Sequence, residues 1–255
     1  MGAGRVALAF GILLAVTMAY TPPAYSATEG EIGTAVVTVR KVTGYLGQQE
    51  HPLSVGERVH LNEVLETGPD SHAELELDDD TKLALGPNGR LILDDYVFSG
   101  AEQGTGRIAL NVLKGAFRFI TGDNDKDSYR IDTPSATIGV LGTVFDLYVI
   151  NDDETVLLLL EGSVEVCSRT APGSLGGACR SNAEPTQIIY SCANGVVSDP
   201  IKWSNPLLPG VAVSSAFPFL HHAPQVHPVQ RSTSPQLTDY SAAAPRRTNQ
   251  ATTPL

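Results

Sequence analysis

Asp123, Asp125 and Asp127 in "DNDKDSY" stand at alternate positions, as the ligands of a calcium loop do. A helix–loop–helix calcium loop also requires Gly at its sixth position and Glu at its twelfth. Those positions hold Ser128 and Pro134, so the segment reads as a solvated turn between two strands. Asp78-Asp79-Asp80 and Asp152-Asp153-Glu154 fall at hairpin tips, where hydration alone explains them. His51, His60 and His72 lie in an early loop-rich region, while His221, His222 and His227 lie near the C-terminus, where metal binding would be adventitious. No "GxSxG" elbow offers a nucleophile, and "GSLGGAC" lies between strands rather than ahead of a phosphate-binding helix. The expectation is a protein without catalytic residues, metal or cofactor.

Cys167, Cys179 and Cys192 are three thiols without a fourth ligand at a metal-binding spacing. In an oxidising compartment an odd count predicts one bridge and one spare thiol. Closing Cys167 with Cys179 or with Cys192 would remove about 3 kcal/mol of unfolded-state entropy, the two loops differing by only about 0.6 kcal/mol. Loop length therefore does not choose. "CSRTAPGSLGGAC" is a Gly- and Pro-containing loop leaving a strand, and a Cys167–Cys179 bridge would close it locally.

An oxidising destination agrees with the first residues. Arg5 precedes a weakly polar run from Val6 to Tyr20, followed by Pro22-Pro23 and the small residues Ala24 and Ser26. This is the order of a secretory signal, with cleavage expected after Ser26. The run is shorter than the roughly 20 residues a bilayer-spanning helix needs. No stable membrane span is expected after cleavage, and the mature chain is expected in the periplasm or outside the cell. The net charge of −11 repels phosphate backbones and anionic membrane surfaces, which disfavours both as partners.

The elements that must position these residues are strands. "AELELDDDTKLALGP" alternates Ala73, Leu75 and Leu77 inward, turns, and resumes with Leu83 and Leu85, as a hairpin does. "GRLILDDYVF" carries Leu91 and Leu93, and "GRIALNVLKGAFRFITG" carries Ile108 and Leu110, then Phe117 and Phe119 after Gly115. Val156 to Leu160 is an unbroken apolar run, which predicts a strand covered on both faces. In "RIDTPSATIGVLGTVFDLYV", Thr133-Pro134 belongs at a corner, since Pro has no N–H for a ladder. Gly139 and Gly142 permit positive φ or close approach there. With turn signals every eight to twelve residues, the class is all-β, with sandwich, barrel and solenoid all open. From 206 to 255 the chain is rich in Pro, Ser, Thr and Ala and is expected to be a disordered tail, leaving 27–205 as the folded domain.

Several phrases in order resemble the FecR domain: "LETGPDSHAELELDDDTKLALGPNGRLILDDYVF", "GRIALNVLKGAFRFITG", "YRIDTPSATIGVLGTVFDLYV" and "LLEGSVEV", with the core motifs over 67–166. The motif positions are Gly68, Gly86, Gly115, Gly122, Thr133, Pro134, Ala136, Thr137, Gly139, Gly142, Thr143, Glu161 and Gly162. The resemblance implies an extracytoplasmic all-β fold, a sandwich or solenoid-like domain of short strands, without catalytic residues. In iron-responsive sigma-factor regulators such a domain takes its signal from a TonB-dependent outer-membrane receptor by protein contact. In this sequence no cytoplasmic anti-sigma segment precedes the apolar run, so a stand-alone exported form with an envelope protein as partner is expected. The turn of "TIGVLGT" carries Val140-Leu141 where the family commonly has a polar residue. The alternative is a glycan or small-molecule module using Tyr45, Tyr96, Tyr190 or Trp203 as apolar platforms. Alkylation and mass mapping of the mature chain without reductant are expected to find one modified cysteine, and three would exclude a bridge.

Overall fold

A computed structural model of the chain describes residues 30–97, 107–125, 128–169, 175–203, 208 and 210–226. The expected signal segment, 1–26, lies outside the described residues. Among the described residues, fifteen strands form one continuous hydrogen-bonded sheet. It is folded over on itself into two layers.

The layers share three long strands: β9 (Arg107–Ile120), β11 (Ala136–Asn151) and β12 (Glu154–Arg169). The C-terminal half of β9 pairs with the C-terminal half of β11, which pairs with the N-terminal half of β12. β7 (Lys82–Leu85), β6 (His72–Leu77), β1 (Glu31–Val39) and β4 (Arg58–His60) extend this first layer beyond β9. β14 (Ile188–Cys192) and β15 (Val196–Val197) extend it beyond β12. In the second layer, the N-terminal half of β9 runs parallel to β10 (Tyr129–Asp132) and antiparallel to β8 (Arg90–Val97). Beyond β8 follow β5 (Val64–Thr67), β2 (Val42–Leu46) and β3 (Gln49–Pro52). On the other side of β10 come the N-terminal half of β11, the C-terminal half of β12 and β13 (Leu175–Asn182).

Each long strand changes layer at a glycine with positive φ: Gly115 at 87°, Gly142 at 67° and Gly162 at 79°. An extra residue in a strand reverses which side chains face inward. In β9 the buried set passes from Ile108, Leu110 and Val112 to Phe117 and Phe119. In β11 it passes from Ile138 and Val140 to Phe145, Leu147 and Val149, and in β12 from Leu157 and Leu159 to Val164 and Val166. Even and odd positions exchange at every bend, so both halves of every long strand point into one core. Phe119 lies at its centre, stacked on Phe145 at 5.4 Å and edge-on to Tyr129 at 5.5 Å between ring centroids. Such ring pairs add about 0.5–1.5 kcal/mol each beyond their burial.

The predicted hairpin is β6–β7, turning through Asp80 at φ 63°. Thr133-Pro134 makes the tight turn between β10 and β11, closed by Thr133 N–H to Ala136 O at 2.8 Å. Gly139 differs from expectation: its φ is not positive, and a Cβ there would meet nothing nearer than Glu165 O at 3.9 Å. The segment therefore has one corner at Pro134 and one bend at Gly142.

The boundary expected at 206 also moves. Leu208 and residues 210–226 are part of the fold, with α1 (Val213–Ala216), a 3-10 turn at Pro218–Leu220, and Phe217 and Phe219 buried. Composition predicted too little apolar surface for order, but Leu208, Ala216, Phe217 and Phe219 are buried against the sheet, with Val211, Val213 and Leu220 packed beside them. Residues 227–255, including His227, lie outside the described residues.

A Cβ on Gly162 would lie 2.1 Å from the Gly142 carbonyl oxygen, besides requiring positive φ. Gly162→Ala is expected to lower stability by about 2–4 kcal/mol, and Gly142→Val by a similar amount, through strain at a special dihedral. Gly139→Ala is expected to change it by less than about 0.5 kcal/mol. Denaturant melts of the three variants check the ranking.

Candidate functional site

The outer face of the first layer carries an unusual row of side chains. Glu74 on β6, Ala84 on β7, Arg118 on β9, Asp146 on β11, Leu158 on β12 and Ile188 on β14 are successive register partners across six strands. Ala116, Tyr148, Val156 and Tyr190 form the adjoining row. Strand alternation turns all of these away from the main core. Solvent would normally meet such a face, yet Arg118 is 0% and Asp146 1% exposed.

What buries them is the C-terminal strap. Phe217 packs with Val156, Leu158, Ile188 and Trp203, its ring 5.5 Å from Trp203 and nearly perpendicular to it. Phe219 sits on Ala84 and Ala116, whose small side chains leave room for a ring, and the Arg118 guanidinium carbon lies 5.6 Å from that ring's centroid. Beneath it Arg118 Nε and Nη2 donate to Asp146 Oδ1 and Oδ2 at 2.5 and 2.8 Å. Removing two charges from water costs several kcal/mol each, offset only with good geometry. The bidentate pairing provides that geometry. Arg118 Nη1, however, is buried with no acceptor among the described residues. The strap's own backbone bonds are internal, and its hydrogen bond to the sheet among the described residues is Val226 N–H to Glu74 Oε2 at 3.0 Å. Beside α1 opens a cleft of about 470 Å³ lined by Asn88, Lys114, Tyr148, Ser214 and Pro218.

The motif positions of the sequence lie elsewhere and serve the backbone. Thr133 Oγ1 receives the Ala136 N–H at 2.9 Å and meets Thr155 Oγ1 at 3.0 Å, while Ser135 donates to Thr155 at 2.8 Å. Thr137 donates to Asp132 at 2.6 Å, and Arg130 and Arg169 flank the same carboxylate. Gly86 donates its N–H to Ala116 O and accepts from Thr67 Oγ1. Gly68 accepts from Asn88 N, and Thr143 exchanges hydrogen bonds with Thr121 across two strands. Glu161 and Gly162 are exposed at the bend, beside Leu141, which is 45% exposed, whereas Val140 is buried.

Asp79 corrects the reading of the "DDD" tip as merely hydrated. Asp79 is 1% exposed and accepts from Thr81 Oγ1 at 2.8 Å, Asn124 Nδ2 at 3.0 Å and Tyr129 Oη at 2.9 Å. It pins the β6–β7 turn to the segment before β10. Gly122 lies against the same turn, where a Cβ would stand 2.2 Å from Asp79 O. Asp123 and Asp125 are exposed, and Asp127 lies outside the described residues. His51 Nε2 and the His60 N–H both reach the buried Glu63 carboxylate, at 2.9 and 2.8 Å. Among the described residues no group of three or more His, Cys, Asp or Glu is placed to hold a metal ion. His221 and His222 are exposed on the strap.

Cys167 and Cys179 are directly opposed on β12 and β13 and form a disulfide, and Cys192 is a free, half-buried thiol. A disulfide fits an oxidising compartment. Trp203 is 9% exposed and belongs to the packing under the strap. The Tyr190 hydroxyl donates to Glu154, which holds that carboxyl below its usual range, and burial pushes the Tyr190 phenol up. Tyr45 is half-buried, and the Tyr96 side chain lies outside the described part. Sequence reasoning did not single out Arg118, Asp146, Phe217 or Phe219. The available signal was a charge between large apolar residues, in "FRF" and "FDL".

Residues 63–165 match the FecR protein family, and the chain carries a FecR domain. Two crystal structures of a candidate anti-sigma factor from Parabacteroides distasonis, at 1.65 and 2.50 Å, are similar to this chain at 17% and 16% identity. Their TM-scores are 0.42 and 0.43, covering 62% of this chain and 73% and 72% of theirs. No curated protein matches the sequence. Among the described residues no helix is long and apolar enough to cross a membrane.

The Asp79 cluster has a spectroscopic consequence. Burial, more than the neighbouring Asp79 charge, raises the Tyr129 phenol above its ordinary value of 10.0. Because the folded state holds this proton more tightly than the unfolded state, the associated stability is intact below pH 10 and declines as pH rises beyond it. Alkaline difference spectroscopy is expected to show a phenol that resists ionisation until unfolding, and Tyr129→Phe to remove it. Asp79→Ala, which strands the buried hydroxyls and amide, is expected to cost about 3 kcal/mol.

Proposed function

We propose that this chain is an exported, non-catalytic binding module that acts at the bacterial envelope by contact with another protein. The observation that carries this reading is the FecR domain over residues 63–165, which points to a regulatory or signalling module. Its motif residues support the reading, because Gly115, Thr133, Gly142, Thr143 and Gly162 are engaged in bends and backbone hydrogen bonds. The work of such a scaffold falls to its surfaces. The Cys167–Cys179 bridge and the N-terminal Arg5 to Ser26 pattern support export. The acidic balance, −11 over the whole sequence, favours a partner that is not itself strongly acidic.

Immobilised mature chain, 27–255, is expected to enrich one or a few proteins from crosslinked envelope extract, relative to a heat-unfolded control. Repeated failure to enrich any protein would overturn the reading. An enriched receptor of the TonB-dependent class would place the module in iron-responsive signalling.

A further inference from the structure

We propose that the outer face around Arg118, Ala84, Ala116 and Ile188 is a docking seat for a peptide segment bearing two aromatic side chains separated by one residue. The chain's own Phe217-Pro218-Phe219 fills this seat in cis. The proposal rests on the protein-contact reading and names the surface and the chemistry of the segment that the partner inserts.

Three observations support a displaceable occupant rather than a permanent part of the sheet. First, the strap contributes no strand to the ladder. Its backbone bonds close on themselves, and among the described residues Val226 N–H to Glu74 is its hydrogen bond to the sheet. Attachment rests on apolar contact: Phe217, together with Leu208, Ala216 and the half-buried Val211, Val213 and Leu220, clusters with Val156, Leu158, Ile188 and Trp203, while Phe219 lies on two alanines above a guanidinium. Second, the strap leaves Arg118 Nη1, on a side chain 0% exposed, without an acceptor among the described residues. The match is therefore incomplete, and a segment presenting a carbonyl or carboxylate oxygen there would bind better. Third, Ala84, Ala116, Arg118, Val156 and Leu158 of the seat lie within residues 63–165, while Ile188, Trp203 and the strap lie outside that span. A tethered occupant has a high effective concentration, so a ligand in trans binds well only when the strap is released.

The test uses the full mature chain and a fluorescein-labelled peptide with the sequence of residues 211–226. Phe217→Ala/Phe219→Ala is expected to raise affinity for the peptide at least tenfold over the wild-type chain, read by anisotropy. A peptide with both phenylalanines replaced by alanine is expected to bind neither protein. Equal binding to the two proteins, or none to a natively folded double variant, overturns the proposal. Should the double variant not fold, brief chymotrypsin treatment of the wild-type chain decides. Cleavage within the strap is expected at least tenfold faster than loss of the disulfide-bonded core, and a strap cut only as fast as the core overturns the proposal. No envelope extract enters either assay, so their outcome is independent of the capture experiment.

Discussion

The fold depends on a parity constraint. A strand that serves two layers must present its apolar side chains to the same core before and after it bends, and strict alternation forbids this unless a residue is added. Gly115, Gly142 and Gly162 supply that residue in β9, β11 and β12, each in a conformation costly for any side chain. Gly142 and Gly162 also meet across β11 and β12, so the two bends coincide and neither has room for a Cβ at Gly162. The two layers and the Phe119-centred core follow from these bends. So does the outward placement of Arg118 and Asp146.

The outward row explains why the FecR domain alone would be incompletely covered. Val156 and Leu158 are buried on one face of β12, and Leu157 and Leu159 on the other. Burial of the outer set requires Trp203, Leu208 and Phe217, all beyond the family match. The matched residues supply the central strands of the scaffold, and the segment after them covers its outer face.

Much of this was legible in the sequence because strands announce themselves by period. The β6–β7 hairpin, the Pro134 corner and the doubly covered Val156–Leu160 run followed from alternation, missing N–H groups and unbroken apolarity. The Cys167–Cys179 bridge followed from a Gly-rich loop next to a strand. Less legible was anything depending on which strands become neighbours. Asp79 reads as one of three hydrated acids until Asn124 and Tyr129 are brought over it by the turn before β10. Phe217 and Phe219 sit among prolines, serines and alanines, and composition averaged over that stretch hides two rings with a specific destination. The run from Val156 to Leu160 already demanded a second cover, and the strap is its source.

The borders of the two layers bear on how molecules of this kind can meet. One layer ends in β4 and β15, three and two residues long, and the other in β3, a four-residue strand closed by Pro52. The remaining border, β13, is stapled to its neighbour and carries the charged Arg180. Short, proline-bearing or charged borders are poor templates for an added strand. Among the described residues these borders are therefore poorly suited to edge-to-edge pairing between copies of the chain at high local concentration.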